Sequence, residues 1–358
     1  MVHSSEGTQD MVTIGIDPHK QTHCGVAVDA LGSELAQQMV PARRIGFGQL
    51  VDWGRGLGDE RVWVIEDVRN VSGSLERFLL ERGETVVRLP PRLMADLRRG
   101  ARERGKSDPI DALAIARAAL REGVDTLPTA RLAGPELEIR LLGLHRERLV
   151  DSRTRLINEL RWQLHDLWPE WELPLKALIH PSWQTKITRR LQSADPSVRV
   201  RIARDMIRRI RELTRTIGAL QDELAALVAQ TAPQLLAETG IGVLLAAKFI
   251  GEIAGIDRFS SDAQLARMAG CAPIPASSGR TDRHRLDLGG NRQLNHAFHL
   301  LAFSKIRYDS QTAVYIARQR ANGKTKREAI RCLKRHLVRR VYNLLRDPSS
   351  VPITVCLT

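Results

Sequence analysis

The sequence predicts an α/β protein with a mixed sheet in its first third and helices in most of the remainder. Short β-branched runs alternate with helical segments up to about residue 121, whereas the middle third is a long helical pattern rich in Leu, Arg and Glu. The last third again has helical periodicity, interrupted by small loops. A chain of 358 residues favours two or three domains over one.

The first third predicts three strands followed by the order helix, strand, helix, strand, helix. The predicted strands are residues 11–17, 24–29, 34–40, 61–66 and 84–89, and the predicted helices are residues 47–53, 72–82 and 108–121. Gly83 is a natural C-terminal cap for the second helix, and Pro109 lies in the first turn of the third, where proline is tolerated. This order is typical of a mixed sheet.

The middle third predicts two long helices, residues 136–167 and about 198–229. In the second helix, apolar residues follow an alternating spacing of four and three, which is a coiled-coil seam. The seam consists of Met206, Ile210, Leu213, Ile217, Leu220, Leu224 and Leu227. Two interpretations stay open: the helix packs on its own hairpin partner, or it is a dimerisation arm.

The charge balance points to a polyanionic partner. The chain has 55 Lys and Arg against 41 Asp and Glu, for a formal net charge of +14. Because aromatic residues make up 4%, phosphate contacts are favoured over base stacking, and binding should be strongly salt-dependent. Ten basic and three acidic residues lie within 186–215. Eleven basic residues accompany Glu328 within 318–346, a segment that we expect to lie on an amphipathic helix. The candidates in the second segment are Lys324, Lys326, Arg327, Lys334 and Arg335.

Cysteine usage and hydropathy favour a cytoplasmic protein. The four cysteines are far apart and form no CxxC pair, which disfavours a disulfide framework or a zinc ribbon. Residues 1–10 are a polar leader without the features of a signal peptide, and no run of 18 apolar residues predicts a membrane span.

Four acidic residues mark a candidate metal site. Asp17 ends the first predicted strand, Glu66 ends the fourth, and Asp108 and Asp111 open a helix on one face. Four carboxylates that lie together repel one another unless a cation neutralises them, and Mg²⁺ prefers such oxygen ligands. Two Mg²⁺ ions, with Mn²⁺ as a substitute, suit phosphoryl transfer.

Each of these acids also has a simpler interpretation. Asp108 is in a position suited to an N-cap, and Asp111 has the alternative of an ordinary helix residue. Asp17 precedes Pro18 as turn residues do, and Asp67 competes with Glu66 for its role. His19 and His23 lie four residues apart, but zinc is disfavoured because no further Cys or His set follows.

The last third holds a second group of candidates. Gly240 and Gly242 precede a helix in a pattern that resembles half of a helix-hairpin-helix. They form either a phosphate-binding turn or a tight turn between packed helices. Asn291 follows Gly289 and Gly290 and is either a phosphate contact or an N-cap. Between these sites lies a loop rich in Pro, Ser, Gly and Arg. It contains Ser277, Ser278, Arg280, Arg283 and Arg285.

Six motifs together resemble the transposases of the insertion-sequence 110 family. GIDPHK at 15–20, VIED at 64–67 and KSDPIDA at 106–112 resemble that family's RuvC-like domain. TGIG at 239–242, GCAPIPASSG at 270–279 and GGN at 289–291 resemble its second domain, so the resemblance extends from about residue 12 to 342.

The resemblance implies a ribonuclease-H-like fold in which Asp17, Glu66, Asp108 and Asp111 bind metal. It also implies that Ser278 attacks DNA to form a covalent link, with the neighbouring Ser277 as an alternative. Without the resemblance, Ser278 is better interpreted as a hydrogen-bonding loop residue. The residue types of the loop make Arg280, Arg283 and Arg285 candidates to hold the scissile phosphate. The implied partners are donor and target duplex DNA, a structured guide RNA from the element, and further copies of the chain, as a dimer or a tetramer on DNA. In those assemblies one subunit's carboxylates meet another's serine, in the nucleoid of a bacterial cytoplasm.

We therefore expect a DNA transposase or recombinase divided into a leader (1–10), a catalytic domain (11–130), a coiled-coil arm (131–230) and a C-terminal domain (231–358). Two alternatives remain. One is a metal-dependent nuclease of the Holliday-junction-resolvase type that uses water, and the other is a non-catalytic nucleic-acid-binding protein. Tyrosine chemistry is disfavoured, because none of the three tyrosines lies in an interpretable motif.

Overall fold

The computed structural model describes residues 11–66, 69–89, 107–127, 129–130, 134–275, 284–285 and 290–347. These residues fall into two compact units. Unit 1 comprises residues 1–133, 255–306 and 310–358, and unit 2 comprises residues 134–254 and 307–309. The four-part division made from the sequence stays a prediction.

Unit 1 contains a mixed five-stranded sheet. Its strands are β1 (Val12–Pro18), β2 (Thr22–Val28), β3 (Glu34–Pro41), β4 (Arg61–Glu66) and β5 (Thr85–Leu89), in the order β3-β2-β1-β4-β5. The first three strands pair antiparallel, whereas β4 pairs parallel with both β1 and β5. The predicted α/β class and mixed sheet are thus confirmed.

Helices cover both faces of this sheet because its central strands are buried on both sides. Helices α1 (Arg44–Arg55) and α2 (Arg69–Leu80) pack on one face, where alternate strand residues such as Ile14, Ile16 and Ile65 form a core. Helix α3 (Asp108–Glu122) packs on the other face against Val62, Val64, Cys24 and Val26. Odd-numbered residues of β1 and even-numbered residues of β4 therefore face α3.

Unit 2 is helical. It contains α4 (Pro135–Leu167), α5 (Pro181–Gln192), α6 (Val198–Thr231), the short α7 (Pro233–Leu236) and α8 (Val243–Ile253). Helix α6 begins at the cap residue Ser197, whose side chain accepts a hydrogen bond from Val200 N. Four of the seven seam residues are buried: Met206, Ile210, Ile217 and Leu224. Helix α6 packs along α4, so the hairpin interpretation of the seam is observed, while a role in dimerisation stays a prediction.

The C-terminal part of unit 1 consists of short elements and three longer helices. They are α9 (Asp262–Met268), the two-residue strands β6 (Ile274–Pro275) and β7 (His284–Arg285), α10 (Arg292–Tyr308), α11 (Ser310–Ala321) and α12 (Lys326–Arg346). The basic segment 318–346 was expected on one amphipathic helix, and this expectation was wrong: it is divided between α11 and α12. The division follows from a capping box, in which Thr325 and Glu328 satisfy each other's backbone N–H groups.

Among the residues that the structure describes, no helix is both long enough and apolar enough to cross a membrane.

Candidate metal centre

Asp17 and Glu66 lie at the same edge of the sheet. The last paired residues of the neighbouring parallel strands β1 and β4 are Ile16 and Ile65, so each acid is the next residue on its strand. Because strand residues alternate between faces, both acids belong to the α3 face. Asp17 is 5% exposed, and Glu66 is partly buried.

Helix α3 begins at this edge and brings two further carboxylates to it. Asp108 is its first residue and Asp111 lies in the same first turn, where negative charge complements the helix dipole. The N-cap residue is Ser107, which rules out that role for Asp108. Helix and strand approach closely at Gly15, where a Cβ atom would overlap the Ala112 carbonyl oxygen and lie 2.6 Å from Ala116 N.

A histidine that the sequence reasoning did not assign to the site bridges two of the acids. The Nε2 atom of His19 lies 3.0 Å from Asp17 Oδ2, within hydrogen-bond distance, and 3.2 Å from Asp108 Oδ1. Ligand atoms of Asp17, His19 and Asp108 all lie within 4.8 Å of one another. The side chains of His19 and Asp108 are 46% and 39% exposed, so solvent ions can reach the group.

The electrostatics of the site disfavour an uncompensated negative charge on Asp17. Burial raises the pKa of Asp17; the charge of His19 opposes this, and the carboxylates of Asp111 and Asp108 add to the increase. The neighbouring Cys24, which pairs with Asp17 across β1 and β2, is affected in the same way. Burial and the charges of Asp108 and Asp17 raise the pKa of its thiol to about 11.

The donor set fits a divalent cation. Asp17 and Asp108 supply carboxylate oxygens within reach of one another, and Asp111 lies close enough to repel Asp17. Hard cations such as Mg²⁺ and Mn²⁺ prefer such oxygens. Glu66 and Asp111 are not in the group whose ligand atoms lie within 4.8 Å, so their part in metal binding stays a prediction.

His23, the other histidine considered for zinc, lies on the opposite face of the sheet from the carboxylates. His23 is fully buried and stacks on Phe47 of α1 with ring centroids 5.5 Å apart. Burial lowers its pKa to about 4, so the ring is neutral at physiological pH. His19 and His23 therefore do not face a common site.

Several predicted site residues lie outside the described residues. These are Ser277, Ser278, Arg280, Arg283, Gly289 and Asp67, the rival of Glu66. Arg285 belongs to β7, which pairs antiparallel with β6. The assignments of these residues stay predictions.

The glycines and Asn291 have clear roles in the backbone. Gly240 has φ +90° in the turn before α8, a conformation that favours glycine, and the exposed Gly242 is the N-cap of that helix. Asn291 caps α10, since its Oδ1 accepts hydrogen bonds from Gln293 N at 2.9 Å and Leu294 N at 3.0 Å. The N-cap interpretation of Asn291 is thus observed, and a phosphate contact at any of the three positions remains a proposal.

The basic candidates of the last helix differ in their surroundings. Lys334 is 6% exposed, and its ammonium donates to Asn295 Oδ1 at 2.7 Å. Arg335 pairs with Asp262 at 2.7 Å, and Lys324 bonds to Gln319. Lys326 and Arg327 are exposed at the start of α12. Lys324, Lys326 and Arg327 are therefore exposed to solvent, whereas Lys334 is buried.

The solved structures that the chain resembles include a DNA-bound protein. The chain resembles RuvC from T. thermophilus, solved in complex with a Holliday junction substrate, with 19% identity and a TM-score of 0.26. The likeness covers 34% of this chain and 99% of that chain.

Comparison of sequences identifies proteins of bacterial insertion elements. A 44.8 kDa protein of IS116 from Streptomyces clavuligerus is 28% identical, over 94% of this chain and 95% of its own length. A 43.6 kDa protein of IS110 from Streptomyces coelicolor is 26% identical, over 95% of both chains. A 42 kDa protein of IS900 from Mycobacterium paratuberculosis is 25% identical, over 94% of this chain and 96% of its own.

Two family models match the chain and together cover more than half of it. The IS110-type DEDD transposase model matches residues 14–169, which contain Asp17, Glu66, Asp108 and Asp111. The model of the transposase IS116/IS110/IS902 family matches residues 232–317, which contain both candidate serines. The chain belongs to the IS116/IS110/IS902 family of transposases.

Proposed function

We propose that this transposase cuts and rejoins DNA strands with a divalent metal held by its carboxylates. The observation that carries the proposal is the group of Asp17, His19 and Asp108 at one edge of the sheet, with Asp111 beside it. A buried Asp17 whose pKa is raised by burial and by neighbouring carboxylates is a poor structural element but a good cation ligand. Further support comes from the transposase model that matches residues 14–169, a range that includes these positions.

The chain's own residues bind and position the cation. Asp17 and Asp108 hold it, and Asp111 and Glu66 add negative charge from the helix and from the neighbouring strand. When bound, Mg²⁺ supplies charge stabilisation for phosphoryl transfer and lowers the pKa of an attacking hydroxyl, and two ions suit this role. Mn²⁺ is the expected substitute, because it accepts the same oxygen ligands.

The nucleophile in this proposal is the Ser278 hydroxyl, with Ser277 as the alternative. The bond from serine oxygen to phosphorus forms as the bond from phosphorus to the sugar oxygen breaks, and the serine proton ends on the released sugar hydroxyl. Arg280, Arg283 and Arg285 hold the phosphate oxygens. Rejoining is the reverse step with a different sugar hydroxyl, so no external energy source is needed. Support comes from the resemblance of residues 270–279 to the family's serine motif.

The partners that fit this activity are donor and target duplex DNA. A net charge of +14 favours polyanions, and the resemblance adds a structured guide RNA and a dimer or tetramer in which carboxylates and serine come from different subunits. Bacterial insertion-element relatives support a bacterial cytoplasm as the place of action.

A denaturing-gel assay for a covalent protein–DNA adduct tests the proposal. The wild type is compared with Ser278→Ala, Ser277→Ala and Asp17→Asn on the native flanking DNA in Mg²⁺. Asp52→Asn is the matched control, because Asp52 is an exposed carboxylate on α1. We expect an adduct with the wild type, Ser277→Ala and Asp52→Asn, and none with the other two variants.

The same assay separates the alternatives. If Ser277→Ala loses the adduct and Ser278→Ala keeps it, the nucleophile is Ser277. Cleaved DNA without an adduct, still produced by Ser278→Ala, indicates a nuclease that uses water. Binding without any cleavage indicates a non-catalytic protein.

A further inference from the structure

Helix α6 carries a stripe of arginines on one side, separate from its apolar seam. Arg201, Arg204, Arg208, Arg211 and Arg215 follow spacings of three, four, three and four, which keeps them on one face. We refer to these five residues as the arginine stripe. The stripe is about 21 Å long at about 1.5 Å per helical residue. This length matches about six base pairs of a duplex at about 3.4 Å per pair.

The stripe forms one wall of a groove in unit 2. The groove has a volume of about 460 Å³ and lies between α5 and α6. Its lining includes four of the five stripe residues, one acidic residue, Glu212, and one aliphatic residue, Ile207; Thr188 and Gln192 line the α5 side. Four arginines against one acidic residue make the groove strongly basic.

Hydrogen bonds hold part of the arginine stripe in place, while its last residue, Arg215, is exposed to solvent. Arg204 donates to the carbonyl oxygen of Leu191 at 3.0 and 2.6 Å, which caps the C-terminus of α5. Arg211 donates to Thr185 Oγ1 at 3.2 Å, and Arg208 pairs with Asp205. Arg215 is exposed and makes no hydrogen bond or ion pair with any residue that the structure describes.

We propose that the arginine stripe binds the phosphate backbone of a double-stranded nucleic acid. Guanidinium groups recognise phosphate oxygens through two parallel hydrogen bonds, and their regular spacing suits a regularly spaced row of phosphates. No aromatic side chain lines the groove, so it lacks the stacking surfaces that single-stranded binding uses. We expect binding to be independent of base sequence, because phosphate contacts carry no direct sequence information.

The salt dependence of duplex binding tests this proposal. The full chain and a 30-base-pair duplex of arbitrary sequence are titrated by fluorescence anisotropy in EDTA. The test variant is R208Q/R211Q/R215Q; Arg204 is kept because it caps α5. The matched control is R148Q/R155Q/R199Q, which removes three exposed charges from the same unit. Equal unfolding midpoints show that both variants fold.

We expect the stripe variant to have a shallower dependence of binding on salt. Each lost phosphate contact reduces the slope by about 0.9, so the wild type loses about 40-fold more affinity than the stripe variant between about 50 and 200 mM salt. The control variant should keep the wild-type slope to within about one contact. The proposal is overturned if the stripe variant keeps the wild-type slope, or if both variants change it equally.

Parallel titrations with a DNA duplex and an RNA duplex determine which of the two nucleic acids the stripe binds. The two can differ because RNA alone offers 2′-hydroxyls to the groove's polar side chains. A larger effect of the stripe variant on either duplex supports the proposal and assigns that duplex as the partner. Because the measurement uses binding in EDTA, it is independent of the proposed catalysis: a chain that forms no DNA adduct can still show the effect.

Discussion

Gly15 of β1 lies directly beneath Ala112 of α3, with no room for a side chain between the strand and the helix. A Cβ atom at Gly15 would overlap the carbonyl oxygen of Ala112, and this neighbour is backbone that cannot rotate away. Gly15 is two residues before Asp17, and Ala112 follows Asp111. The close approach therefore fixes how the carboxylates of the strand and of the helix meet.

Gly15→Ala is expected to displace α3 and to disrupt the metal site. We expect a loss of about 1–3 kcal/mol in the free energy of unfolding, as for other overpacked positions, together with loss of the thermal stabilisation by Mg²⁺. Gly48→Ala is the matched control, because Gly48 lies in α1 and a Cβ atom there would have no neighbour within 4 Å. That variant should gain about 0.5–1 kcal/mol. Normal Mg²⁺ stabilisation of Gly15→Ala would contradict the importance of this contact.

His19 is expected to leave the carboxylates when Mg²⁺ binds. Its imidazole bridges Asp17 and Asp108, but Mg²⁺ prefers oxygen ligands. His19→Ala should therefore bind Mg²⁺ at least as tightly as the wild type in calorimetric titration. A decrease of about tenfold or more, which corresponds to about 1.4 kcal/mol, would instead identify His19 as a ligand.

Glu84 is expected to make folding pH-dependent in the acid range. Burial alone would raise the pKa of Glu84, but hydrogen bonds from Arg61 and Trp63 outweigh it and hold the pKa below the ordinary value of 4.5. A lowered folded-state pKa means that the stabilisation is present above the unfolded pKa and is lost as pH falls through the folded value.

Glu84→Gln tests this interpretation by urea unfolding at several pH values. The carboxylate accepts from Arg61 Nη2 at 2.6 Å and Trp63 Nε1 at 2.8 Å, so its loss should cost about 3 kcal/mol near neutral pH. The difference from the wild type should shrink on acidification. If the difference in free energy of unfolding between the two proteins stays constant from neutral pH to below pH ~4, ionisation of Glu84 does not contribute to the pH dependence of folding.

Asn291 is expected to stabilise α10 as its N-cap. Asn291→Ala should lose about 1 kcal/mol, whereas Asn291→Asp should keep the stability because aspartate is an equally good cap. Urea unfolding measures both. An equal loss in both variants would contradict the capping role. If Asn291 also contacts phosphate, the added negative charge of Asn291→Asp should weaken duplex binding. Asn291→Ser caps the helix without adding a charge, so it should leave duplex binding unchanged.

Local sequence patterns predicted most of the fold. The strand ends came close to the observed ones because β-branched runs are bounded by polar turns. Helix α1 starts earlier than predicted, at Arg44, since Gly46 and Gly48 weaken its helical pattern while packing of Phe47 and Leu50 stabilises it. The break between α11 and α12 had a local signal, the Thr325–Glu328 capping box.

The site was predicted less completely, because its geometry depends on contacts between distant segments. The edge shared by Asp17, Glu66 and Asp108 followed from strand order and helix position. The role of His19 depends on the distance from β1 to α3, which no local pattern contains. The inward orientation of Lys334 likewise depends on Asn295 in another helix, so its charge alone suggested an exposed contact.

Mg²⁺-dependent strand cleavage by Asp17→Asn tests the metal site most directly. The variant removes one buried charge and keeps the size of the side chain and one acceptor oxygen. Asp52→Asn removes an exposed charge as the control. With native flanking DNA, we expect cleavage by the wild type and Asp52→Asn to rise with Mg²⁺, and cleavage by Asp17→Asn to fall at least about 100-fold, in the range expected when a key transition-state interaction is lost. Cleavage by Asp17→Asn at the wild-type rate and with the same Mg²⁺ dependence would contradict the carboxylate metal centre.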